Sequence, residues 1–124
     1  MATVYISREN NDHVEFVNDT GGNLDQYQPC VVGPYAAVAD QAVTGAVVAS
    51  FHVEQGLEVQ ADNLTTAEDT FATPGQPVYL DAAAGDFSDT ETPGYYLWGY
   101  LKRVKDANGM IVIEKRRYAV LIGS

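Results

Sequence analysis

Along the chain, apolar residues recur at every second position in short runs, with turn-forming residues between them and almost no run at helical spacing. Val14 and Phe16 alternate with His13 and Glu15, which predicts a strand with one buried face. Thr3 to Ile6 predicts a shorter strand ahead of it, and the polar stretch Ser7 to Asp12 a loop. Asp19 to Asn23 is a turn cluster. Pro29 to Val32 and Tyr35 to Ala39 flank Gly33-Pro34 at the spacing of a tight hairpin. Ala46 to Val53 is apolar on both sides, as a strand covered on both faces would be, and Leu57 to Gln60 continues it after Gly56. Residues 61–76, rich in Thr, Asp, Glu, Gly and Pro, have little to bury and predict a long surface loop.

The stretch PGQPVYLDAAAGDFSDT, residues 74–90, decides the fold class, since Asp81 with three alanines behind it could open a helix or cap a hairpin. Gly85 would stop such a helix after about one turn, which is not stable in water. Pro77 to Leu80 is β-branched and aromatic with proline at its opening position, so a hairpin is expected, with Tyr79 and Phe87 as its apolar anchors. Tyr95 to Val104, the turn residues Asp106 to Gly109 and the return at Met110 to Ile113 predict a further hairpin, and Arg117 to Ile122 a closing strand. Gly99 inside its strand signals a bulge or a close backbone approach. Alternation places Tyr96, Trp98 and Tyr100 on one face, with Tyr95 and Leu97 on the other. The outcome is an all-β, single-domain barrel or sandwich of eight to ten short antiparallel strands, divided into an extended N-terminal arm, 1–11, and a β domain, 12–124.

At 124 residues such a domain buries roughly two thirds of its unfolded surface, so it needs no staples. The single cysteine, Cys30, excludes an internal disulfide and lies in an apolar strand as a buried, inert thiol. No run approaches the ~18 apolar residues of a membrane span, so a soluble, cytoplasmically made protein with no membrane partner is expected. Sequons at Asn18 and Asn63 are then chance matches. The net charge of −10 is unevenly spread: residues 1–101 hold Arg8 against 15 acidic side chains (−14), whereas 102–124 hold six basic against two acidic (+4). An acidic body repels nucleic acid. The basic set Lys102, Arg103, Lys105, Lys115, Arg116 and Arg117 could meet an acidic partner or balance the chain's own carboxylates.

Catalytic signatures are missing. There is no Walker loop and no GxGxxG, and no nucleophile elbow surrounds any serine. His13 and His52 lie in separate predicted strands with no second histidine at ligand spacing, which favours structural roles. Asp86, Asp89 and Glu91 lack the spacing of a calcium loop and read as a solvated rim, a metal-assisted hydrolase being the remote alternative. No cofactor or metal is expected, and no enzyme.

Three quoted stretches, DHVEFVNDTGG, YQPCVVGPYAAVADQAVTGAVVASFHVEQGLEV and GQPVYLDAAAGDFSDT, resemble in order and spacing the capsid cement, or head decoration, proteins of tailed phages, a family once labelled predicted recombinases. That label conflicts with the missing phosphate loop. The resemblance covers about residues 12–104 and departs after Leu101, at the basic hairpin and the longer ending. It implies a compact barrel with no catalytic residues. Its expected place is the exterior of the virion capsid, bound to the major capsid protein as a homotrimer at threefold or quasi-threefold positions. The basic set and the small tip Ala82, Ala83 and Ala84 are the candidate interface residues. The arm is expected to order against a neighbouring subunit. A rival reading makes the 95–100 aromatic segment a stacking platform for carbohydrate or a host surface.

Overall fold

The computed structural model describes residues 4–8, 13–62, 71–104 and 110–123. Among these, ten strands and no helix form, and every strand pairing is antiparallel. The strands are β1 (Val4–Arg8), β2 (His13–Val17), β3 (Pro29–Val32), β4 (Tyr35–Ala39), β5 (Val48–His52), β6 (Glu58–Asp62), β7 (Pro77–Asp81), β8 (Asp86–Ser88), β9 (Tyr96–Arg103) and β10 (Met110–Leu121). Their hydrogen-bonded path runs β2-β5-β4-β10-β9-β7-β8, with β3 branching from β4, β6 from β10 and β1 from β6. Among the described residues the path does not return to its start, so the expected all-β domain forms as an open sheet around two cores, nearer the sandwich than the compact barrel that the resemblance implied.

The first two expected hairpins form, and the strands of the third, β9 and β10, pair antiparallel. Gly33 turns with φ +52° between β3 and β4, and Gly85 with φ +74° between β7 and β8, values that favour a residue without Cβ. The apolar anchors of the second hairpin are Leu80 and Phe87, which face each other and are fully buried, while Tyr79 sits opposite Ser88 on the other face. From the expected arm, Val4–Arg8 pairs with β6 of the same chain; residues 9–12 lie outside the described residues, as does the turn at 106–109.

Two cores result, and the β3-β4 hairpin is the wall between them. On β4, Ala36 and Val38 face the larger core, whose heaviest members are Trp98, Phe87, Phe71 and Leu80, whereas Ala37 and Ala39 face the smaller one around Phe51, Leu24 and Val43. The register agrees: Cys30 pairs with Ala37 and contributes to the smaller core, and Val31 pairs with Ala36 and packs on the larger. A strand covered on both sides is therefore found at β4. At β5, where it was expected, one face is buried through Ala49 and Phe51, whereas the other runs from Val48, 64% exposed, to a buried His52, so only its far end is covered. The 61–76 segment also does more than expected, because Phe71 returns from it into the larger core; residues 63–70 are outside the described residues.

A bulge in β9 changes which aromatics are inside. Val78 of β7 pairs with Gly99 and the next residue, Tyr79, with Leu97, so Trp98 is the extra residue. The slip turns Trp98 and Leu101 into the core and Tyr100 outward, breaking the alternation that grouped Trp98 with Tyr100. Gly99 is also a place of close approach: a Cβ there would stand 2.6 Å from the Glu114 carbonyl oxygen.

Candidate functional site

β10 is long enough to join both cores, and it does so by leaving one neighbour partway along. It pairs with β9 up to Lys115 opposite Gly99 and resumes only at Val120 opposite Leu97, while on its other edge it passes from β6 to Tyr35 of β4 through Tyr118. The released residues 116–119 carry the surface chemistry. The Arg116 guanidinium donates to the Tyr100 hydroxyl (2.8 Å) and to the Tyr118 carbonyl (3.0 Å), and lies 5.9 Å from the Tyr100 ring centroid. Arg117 lies 5.8 Å from the Tyr35 ring and 5.9 Å from that of Tyr118, and those two rings are stacked at 5.6 Å. Phe16 meets Tyr35 edge-on, which anchors the stack to β2. Beside the two arginines, Tyr118, Val120 and Leu121 are 50%, 44% and 59% exposed. A recess of about 260 Å³ bordered by Gly56, Tyr100, Arg116 and Tyr118 opens on this face. Arginine held on tyrosine rings keeps its charge, sheds little hydration and loses little further entropy on contact, which suits it to a protein interface.

The six expected cations do not form one cluster. Arg103 stands opposite Val112, four residues along β10 from Arg116, or about 13 Å at a strand's rise. Lys102 is paired with the Glu58 carboxylate at 2.5 Å, and Lys105 lies outside the described residues. Lys115 departs most from expectation, since it is only 1% exposed and cannot meet a partner. Its ammonium donates to the carbonyls of Ala36 (2.6 Å) and Arg116 (2.5 Å) and faces the Trp98 ring at 6.0 Å, tying β10 to the wall. Burial pushes the nearby Cys30 thiol up to about 12, against the opposing pull of Lys115.

At the Ala82 to Ala84 tip, Ala83 and Ala84 are exposed while Ala82 packs on the larger core. The tip flanks a groove of about 490 Å³ whose other side is the Asp19 to Asn23 loop. That loop is rigidified by Asn18, a buried residue whose amide donates to the Gly22 and Gly45 carbonyls, which also explains why its sequon offers no acceptor in the folded chain. Asn63 lies outside the described residues. Trp98 is fully buried and donates to the Cys30 carbonyl, so the aromatic platform of the rival reading loses its largest ring.

Two groupings escaped the sequence. The Tyr35-Tyr118-Arg117 stack needs the single β4-β10 bridge, which no local pattern encodes. His13 and His52 are direct cross-strand partners on β2 and β5, and Asp40, just past β4, joins them; this is the grouping of metal-capable side chains among the described residues, and Asp86, Asp89 and Glu91 are not brought together in that way. Knowing that β2 pairs with β5 in that register would have revealed it.

What these elements define is a small layered β protein whose surface chemistry is concentrated in stacked tyrosines and guanidinium groups. The sequence profile of the phage cement proteins matches residues 8–116, and the chain belongs to the phage cement protein family. That membership makes it a capsid-associated structural protein of the phage virion. No curated protein and no solved structure matches the chain.

Proposed function

We propose that this protein is made in the host cytoplasm, docks on the outer surface of the assembled head and stabilises contacts between major capsid protein subunits. It does so as a homotrimer at threefold or quasi-threefold positions, without catalysis and without nucleic acid as a partner. The observation that carries the reading is the Arg116/Arg117 face with its stacked tyrosines and exposed Val120 and Leu121, on a chain of the cement family. A ligand that binds the assembled lattice and not the free subunits lowers the free energy of the shell by mass action. Three linked copies strengthen this, because the second and third contacts become intramolecular. An acidic patch on the capsid would attract this basic face and repel the acidic remainder of the chain, which sets the orientation of docking.

The test is co-sedimentation with expanded, undecorated capsids at about 0.05 and 0.5 M salt, where the screening length falls from roughly 14 to 4 Å. Wild-type protein should saturate, and bind less at high salt. The double variant Arg116→Glu/Arg117→Glu should retain its fold by circular dichroism, lose occupancy at low salt and lose the salt dependence. Unchanged binding by that variant removes the face from the interface. Failure of the wild type to bind capsids at either salt removes the cementing role itself.

A further inference from the structure

We propose that His13, Asp40 and His52 form a binding site for one divalent transition-metal ion of the zinc class. The site follows from strand register. His13 and His52 are directly opposite on β2 and β5, so their side chains share a face, and their rings lie 4.2 Å apart at a 50° tilt. β4 flanks β5 on its other edge, with Val38 opposite His52, and the chain leaving β4 carries Asp40 back over the pair. One carboxylate oxygen, Asp40 Oδ1, lies 2.9 Å from His52 Nε2 and 3.9 Å from His13 Nε2. Three donor atoms, from β2, β5 and the residue that follows β4, thus converge, all within 4.8 Å of one another.

That spacing fits a metal. Ligands about 2.0–2.2 Å from a tetrahedral zinc ion stand roughly 3.4 Å apart. The observed 2.9 and 3.9 Å fall on either side of this value and the histidine nitrogens lie within 4.8 Å of one another, so the carboxylate shifts by about half an ångström and the two half-facing imidazoles close on the ion by rotation of their side chains. Two imidazoles and one carboxylate suit zinc, cobalt and nickel ions over calcium and magnesium, which prefer sets made of oxygen alone. Access is graded. His52 is enclosed, whereas His13 and Asp40 are 27% and 40% exposed, giving one fixed inner ligand and a solvent side with room for a water as fourth ligand. The strong negative charge of residues 1–101 favours any cation there. A bound ion would staple β2, which among the described residues pairs with β5 alone at the sheet's end, to the end of β4.

The experiment uses the untagged full chain, stripped with chelator and dialysed. Titration calorimetry with Zn²⁺ should give one ion per chain, and Co²⁺ should produce the d–d absorption of a four-coordinate nitrogen and oxygen site. With free Zn²⁺ at about 100 times its dissociation constant, the unfolding equilibrium constant should fall about 100-fold. His13→Gln and Asp40→Asn change half-exposed side chains and should stay folded, yet weaken binding on the order of 100-fold, since even outer-shell partners are worth roughly 10–100-fold. Absence of stoichiometric Zn²⁺ binding would overturn the proposal and leave a hydrogen-bonded His52-Asp40 pair only. Equal binding by wild type and His13→Gln would overturn it too, by placing the ion elsewhere.

Discussion

Replacing Gly99 by alanine tests whether the β9-β10 seam is as tight as it looks. In an ordinary strand the change would stabilise by about 0.5–1 kcal/mol, because glycine loses more backbone freedom on folding. Here the new Cβ would stand 2.6 Å from the Glu114 carbonyl oxygen and 2.9 Å from Ile113 Cγ2, where ordinary contact begins at 3.4 Å. The obstacle is backbone, so the strands must part by about 0.8 Å. That stretches a ladder bond of about 2.9 Å past the limit of a useful hydrogen bond, with about 0.5–1.5 kcal/mol lost for each of one or two bonds. Overpacking adds to this, and such substitutions typically lose about 1–3 kcal/mol in all. The net expectation is a loss of about 1–3 kcal/mol, or a melting temperature lower by roughly 4–12 °C for a chain of this size. Gly22→Ala is the control, since nothing lies within 4 Å of its Cβ position. Thermal and urea unfolding followed by circular dichroism measure both. If Gly99→Ala melts at or above the wild-type temperature, the close approach is not what excludes a side chain there.

Trp98→Ala removes a fully buried ring packed 5.0 Å from Phe87 and should cost about 3–5 kcal/mol by urea unfolding; a loss under 1 kcal/mol would mean that the larger core does not depend on the bulge. Asn18→Ala deletes two donated and two accepted hydrogen bonds and should cost about 2–4 kcal/mol, with increased proteolysis of the Asp19 to Asn23 loop as the independent readout. Cys30 should resist alkylation in the folded chain and react only on unfolding. Its thiol keeps the proton up to about 12 when folded against an ordinary 9.0, so its contribution to stability is complete below pH 9 and is lost as pH rises toward 12, by at most about 1.4 kcal/mol per pH unit. Cys30→Ala should show a shallower alkaline decline; an identical slope would contradict the buried assignment.

Strands and hairpins were legible because they depend on neighbours in the chain. Gly33-Pro34 and Gly85 turn where turn chemistry demands, and Val14 and Phe16 bury the face their alternation predicts. What failed depends on contacts between distant segments. Alternation assigned Tyr100 to the face of Trp98, and a bulge placed by β7 reversed it. Four small residues in β4 carry no sign of which side is covered, and only the stacking of two cores shows that both are. Charge patterning put Lys115 with its neighbours, although its stem reaches the Ala36 carbonyl of another strand. His13 and His52 are 39 positions apart in sequence, and pairing alone makes them neighbours.

The hairpin shared between the two cores has a kinetic consequence. Ala36 to Ala39 cannot leave one core without leaving the other, and Lys115 fastens the same strand to β10. Partial opening is therefore denied to the centre of the molecule, and amide hydrogens of β4 should exchange only through global unfolding while those of β2 and β8 at the margins exchange sooner. For a capsid-associated protein, such coupling converts modest equilibrium stability into slow unfolding, because the centre opens only as a whole.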